Sequence, residues 1–145
     1  MPLNDEFFKA FRGSFVSLLR WPQFDEFWEK MHKLADSEWY IYAVGEPPPE
    51  APASKVELLK FLDESSKLLR KEHEEDYCGI VYVDDKVNPA FIKIFDPNNL
   101  GVSCGFSDNP PLPGWIISRI KPTNLSNLIK PTKSRQRWWN KIFSS

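Results

Sequence analysis

An α+β domain, with helices packed on a small, mainly antiparallel sheet, is predicted by three observations on the 145-residue sequence. Apolar residues recur at helical spacing in three segments before residue 75. Short β-branched and aromatic runs dominate the second half, and the junctions between them carry Asp, Asn, Pro and Gly, the chemistry of tight turns. Strands that follow one another through short turns pair antiparallel, because a parallel neighbour needs a long crossover. The predicted order is α-α-β-α-β-β-β-β.

In residues 4–20, Phe7, Phe8, Phe11, Phe15, Leu18 and Leu19 fall on one helical face. Asn4 is a capping residue, and Asp5 and Glu6 stand at the positive end of the helix dipole. Pro22 suits the first turn of a second helix, striped by Phe24, Phe27, Trp28, Met31 and Leu34. A helical hairpin turning at Arg20 and Trp21 is the simplest combination of the two. Residues 38–44 gather Trp39, Tyr40, Ile41 and Tyr42 into a strand that Gly45 ends. The four prolines in residues 47–52 then make a stiff, extended spacer. Ser54 and Glu57 form a capping box ahead of a third helix that runs to about residue 74, with Val56, Leu58, Leu59, Phe61, Leu62 and Leu69 as its apolar positions. Phe11, Phe15, Phe27, Trp28 and Leu62 are expected together in one core against the sheet.

Residues 78–83 and 90–95 read as a hairpin turning through Asp84, Asp85, Asn88 and Pro89. Two further strands are expected at 102–105 and 115–120, separated by the turn-forming stretches 96–101 and 107–114. Residues 1–121 form the predicted domain. Residues 122–145 form a basic, aromatic tail that begins as a Pro- and Asn-containing linker and ends in a short helix over 135–143.

With 41% hydrophobic and 27% charged residues the chain has a globular composition. No apolar run approaches the roughly 20 residues of a membrane-spanning helix. Asp5, Glu6, Lys9 and Arg12 interrupt the N-terminus, so it lacks the apolar centre of a secretory signal. A cytosolic protein with two reduced thiols, Cys78 and Cys104, is the expectation.

Charge is distributed unevenly. From Arg119 onward there are seven Lys or Arg and no acid, whereas the preceding 118 residues hold twelve basic and twenty acidic residues, so a body of −8 carries a tail of +7. Lys133, Arg135, Arg137, Trp138, Trp139, Lys141 and Phe143 are therefore the candidate partner-binding residues. A protein partner, or self-association through the tail, is favoured over single-stranded nucleic acid or an anionic membrane. One short tail is a modest electrostatic footprint, and nucleic-acid-binding domains are usually basic over their folded surface as well. The competing account is that the rings of the tail pack back onto their own domain.

Catalytic signatures are sparse. There is no glycine-rich phosphate loop, no HExxH, CxxC or GxSxG pattern, and there are only two histidines, His32 and His73. Neither a metal nor a cofactor is implied. His73, Cys78, Asp96 and Cys104 are the residues from which a Cys-dependent or small-ligand site at the sheet edge would be built, with His73 as the base that generates thiolate. Glu74, Glu75 and Asp76 would raise the thiol pKa, which favours a structural role for these groups. Stretches 96–101 and 107–114, followed by Trp115, have the composition of a ligand mouth, but ordinary turns call for the same residues. The sequence thus points to a non-enzymatic cytosolic protein-interaction or regulatory module acting through its tail. The alternative is a small-ligand-binding protein or Cys-dependent enzyme.

Overall fold

The alternation of side chains along each strand assigns residues to two faces, and both faces are covered. The computed structural model describes residues 6–73, 78–97, 112–125 and 133–143, with only the backbone of 133–136. In chain order the elements are α1 (Glu6–Phe11), β1 (Val16–Ser17), α2 (Trp21–Leu34), β2 (Tyr40–Ala43), α3 (Lys55–Glu72), β3 (Val81–Val83), β4 (Phe91–Ile94), β5 (Trp115–Ser118) and α4 (Lys133–Phe143). The strands form an antiparallel sheet of order β1-β3-β4-β5-β2. The α+β class and the order of the main elements are those read from the sequence.

Ile41, Ala43, Val81, Val83, Ile92, Ile94, Trp115 and Ile117 meet Phe24, Phe27, Trp28 and Met31 of α2 and Leu58, Phe61, Leu62 and Leu69 of α3 in one core. The alternate residues Tyr42, Phe91 and Ile116 pack on the opposite side with Phe7 of α1 and Leu125, and Phe8, Phe11 and Phe15 border that second cluster. The stretch 4–20, read as one helix, is therefore divided. α1 ends at Phe11, and the chain then extends so that Val16 and Ser17 pair with Val83 and Tyr82. The pairing continues as the Leu18 N–H donates to the Val81 carbonyl at 2.8 Å and the Cys78 N–H to the Leu19 carbonyl at 2.8 Å. A continuous helix would leave the edge of β3 unpaired and Phe91 uncovered, and these non-local gains outweigh the local helical pattern. In place of direct hairpin packing, α1 and α2 lie on different faces. Phe11 and Phe15 accordingly belong to the second cluster, while Phe27, Trp28 and Leu62 share the first.

Local side-chain chemistry sets the other boundaries. Ser54 Oγ accepts from the Glu57 N–H at 3.1 Å while Glu57 Oε1 accepts from the Ser54 N–H at 2.8 Å, closing the predicted capping box of α3. In the hairpin turn, Asp85 Oδ1 accepts from the N–H groups of Val87 and Asn88, and Asp84 Oδ1 from those of Ala90 and Phe91. The proline spacer runs beside β2, an edge strand, and prolines have no N–H with which to extend a ladder. It is pinned where the Ala53 N–H donates to the Trp39 carbonyl at 2.8 Å. The strand expected at 102–105 lies outside the described residues.

Side-chain bridges join α2 and α3, among them an ion pair between Arg70 and Asp25. The Trp28 indole donates to the Leu62 carbonyl at 2.9 Å. His32 reaches the Trp28 carbonyl through Nδ1 at 2.7 Å and Asp63 Oδ1 through Nε2 at 2.9 Å. Serving both acceptors takes both ring N–H groups, which only the imidazolium has. Burial alone would lower the His32 pKa, but the Trp28 carbonyl and the Asp63 carboxylate outweigh it and hold the ring above its ordinary value. A folded-state pKa above the unfolded one stabilises fully below the ordinary value of about 6.5, and that contribution disappears as pH rises through the folded pKa. The pair is largely exposed, so its worth is at most ~1 kcal/mol. Urea midpoints measured across this window should fall with pH more steeply for the parent chain than for Asp63→Asn. Parallel pH profiles would show that the bridge contributes nothing.

Candidate functional site

The described part of the tail is fastened to the body at several points. The Leu125 N–H donates to the Tyr42 hydroxyl at 2.7 Å, and Leu125 is buried. Arg119 stacks over Trp39 at 4.0 Å and donates through one guanidinium nitrogen to both Asp36 oxygens, at 2.7 and 2.9 Å. The guanidinium holds the Asp36 carboxyl below its ordinary range. Lys121 pairs with Glu50 at 3.6 Å.

α4 lies on α3. Trp138, Trp139 and Phe143 surround Phe61 with ring centroids 6.3, 6.2 and 6.5 Å away, and Trp138 also meets Trp115 at 5.2 Å. Ile142 is buried. At 3.6 residues per turn, positions 138, 139, 142 and 143 share one side of a helix and positions 137 and 141 fall on the other. Arg137 and Lys141 are exposed, and neither makes an ion pair among the described residues. Position 133 lies one turn before 137 on the same line along the helix, so Lys133, Arg137 and Lys141 mark out a basic stripe by backbone position. The side chains of Lys133 and Arg135 are outside the described residues. Of the seven basic residues from 119 onward, Arg119 and Lys121 are thus committed to intramolecular pairs, while Arg137 and Lys141 of α4 face outward.

Of the residues proposed for thiol chemistry, His73, Cys78 and Asp96 come to one end of the sheet. His73 caps α3 through its N–H to the Leu69 carbonyl at 2.9 Å, and its Nε2 is 2.8 Å from the carbonyl oxygen of Cys78. That contact is to backbone; it does not align the ring with the sulfur. The Cys78 thiol is buried, and burial pushes its pKa up, the reverse of what a thiolate nucleophile needs. The Phe95 N–H donates to the Ile80 carbonyl at 2.9 Å, carrying the β3–β4 ladder one step further and bringing the following Asp96 to the same end. Asp96 is buried, and a Cβ added to Gly114 would stand 3.1 Å from the Asp96 Cβ. Gly79, between Cys78 and this ladder, has φ 67°, a conformation that favours glycine. Cys104 lies outside the described residues, as do residues 98–101 and 107–111 of the two loops; of the remainder, Leu112 packs in the second cluster and Pro113 is buried. Among the described residues, no group of three or more His, Cys, Asp or Glu is arranged to hold a metal ion.

One functional candidate was not singled out by sequence reasoning. Lys93 is the only polar residue of β4, in the run Phe-Ile-Lys-Ile, and it is half-buried under α1 with Nζ 3.9 Å from the Phe15 ring centroid and 4.4 Å from that of Phe11. Loss of hydration lowers its pKa to about 8. A lysine inside an otherwise apolar strand was the available signal.

No described helix is long and apolar enough to cross a membrane. In comparisons with known proteins, no family model, curated protein or solved structure matches this chain.

Proposed function

We propose that this protein is a non-enzymatic, cytosolic interaction module whose α4 offers a basic stripe to an acidic protein surface. One observation carries the reading: α4 commits Trp138, Trp139 and Phe143 to its own core while Arg137 and Lys141 stay exposed and unpaired among the described residues. Membrane insertion and base stacking both draw on exposed rings, so engaging the rings favours recognition by charge alone. Residues four apart on a helix rise about 6 Å, a spacing met by carboxylates at i and i+4 on a partner helix. The buried, pKa-raised Cys78 gives the alternative, a Cys-dependent enzyme, no comparable support.

The test uses the full chain and a variant carrying Arg137→Glu and Lys141→Glu. Polyglutamate should bind the parent, weaken with added salt because exposed charges are screened over about 8 Å at physiological ionic strength, and fail to bind the variant at an unchanged melting temperature. Equal binding by both proteins, or tighter binding of the parent to anionic vesicles or single-stranded DNA than to polyglutamate, would overturn the proposal.

A further inference from the structure

We infer that the open edge of β1 is a dimerisation surface, on which β1 of a second copy of this chain pairs antiparallel and joins the two sheets into one. The two edges of the sheet are not alike. β2 is flanked by the proline spacer and bonded to it at Ala53, whereas no described segment bonds to the outer side of β1. Successive residues of an antiparallel strand turn their backbone groups to opposite sides, and the Leu18 N–H donating to the Val81 carbonyl turns Leu18 and Val16 toward β3. The N–H and C=O of Ser17 therefore point out of the sheet, and neither bonds a backbone group among the described residues. Val16 and Leu19, on either side of this stretch, are 47% and 51% exposed. A donor and an acceptor side by side on extended backbone are matched by another extended backbone.

The helix beside the edge selects a second copy as that backbone. α2 runs back along β1: Trp21 at its start meets the His73 ring 6.2 Å away, at the Cys78 end of β3, and Lys30 Nζ donates to the Lys86 carbonyl at 2.8 Å in the turn that follows β3. A cleft of about 590 Å³ lies there, lined by the buried Leu18 and Phe27 and by Glu26, Lys30, Lys33 and Lys86. A twofold axis through Ser17 lets the two serines exchange N–H···O=C bonds, sets Val16 opposite Leu18 of the second copy on the side of the cleft, and brings the two α2 helices antiparallel. Along the cleft α2 is acidic at Glu26 and net basic over Glu29, Lys30 and Lys33, so the antiparallel arrangement sets acid against base. An arbitrary extended peptide would satisfy the backbone of Ser17 and leave this change of sign along α2 unanswered.

Sedimentation velocity of the full chain over a range of concentrations should show a monomer–dimer equilibrium, and the Ser17 amide should exchange with solvent at least ~10-fold more slowly in concentrated than in dilute protein. Ser17→Pro removes the outward N–H, a loss that a sheet edge tolerates, and Val16→Lys adds a charge at an exposed position. Each should weaken the dimer at least ~10-fold, while Arg137→Glu combined with Lys141→Glu on α4 leaves it intact. If Ser17→Pro does not fold, Val16→Lys alone decides. A chain that stays monomeric throughout, a dimer whose Ser17 amide is unprotected, or a dimer lost with the α4 variant and kept by the edge variants would overturn the proposal.

Discussion

Replacing Phe61 by alanine is expected to destabilise the protein by about 3–5 kcal/mol, the range for large aromatic deletions from packed cores. Phe61 is fully buried on α3 and is the hub on which Trp138, Trp139 and Phe143 of α4 converge. Its removal opens a cavity and takes away the floor on which α4 rests, so the near-ultraviolet signal of the tryptophans should change together with the urea midpoint. A loss below ~1 kcal/mol would mean that α4 contributes little to the core. The result also bears on function, because a basic stripe is held in a defined orientation only while the opposite side of its helix is packed.

Tyr42→Phe is expected to cost about 1–3 kcal/mol, the penalty for a buried donor left without an acceptor. The Tyr42 hydroxyl accepts from the Leu125 N–H at 2.7 Å, and both residues are buried. Phenylalanine keeps the ring and removes the oxygen, so the change isolates the hydrogen bond from the packing. The Leu125 amide should exchange with solvent faster in the variant than in the parent. Unchanged exchange and unchanged stability would show that residues 122–125 are held by packing alone.

Both effects act where the chain returns to itself over long sequence distances, and this is where sequence reasoning reaches least far. α3 is legible because its causes are local: Ser54 and Glu57 stand three residues apart, and an apolar stripe follows. The β3–β4 hairpin is legible for the same reason, since Asp84 and Asp85 bond backbone groups only two to seven residues away. Residues 4–20 carry an equally good helical stripe, yet the helix is cut short because β3 needs an edge partner and the Phe91 face needs a cover, demands that arise only once the sheet exists.

The candidate site divides in the same way. The basic, aromatic character of the C-terminal residues and the acidic character of the body were determined by the sequence alone, because charge and side-chain type are local properties. Only the tertiary structure decided which of these groups face outward. Asp36 and Glu50 claim Arg119 and Lys121, Phe61 and Trp115 claim the tryptophans, and Arg137 and Lys141 are left on the exposed side of α4. The same holds for Lys93, whose desolvation depends on Phe11 and Phe15, residues about eighty positions earlier in the chain. A desolvation energy depends on every neighbour that displaces water, and those neighbours come together only when the chain has folded.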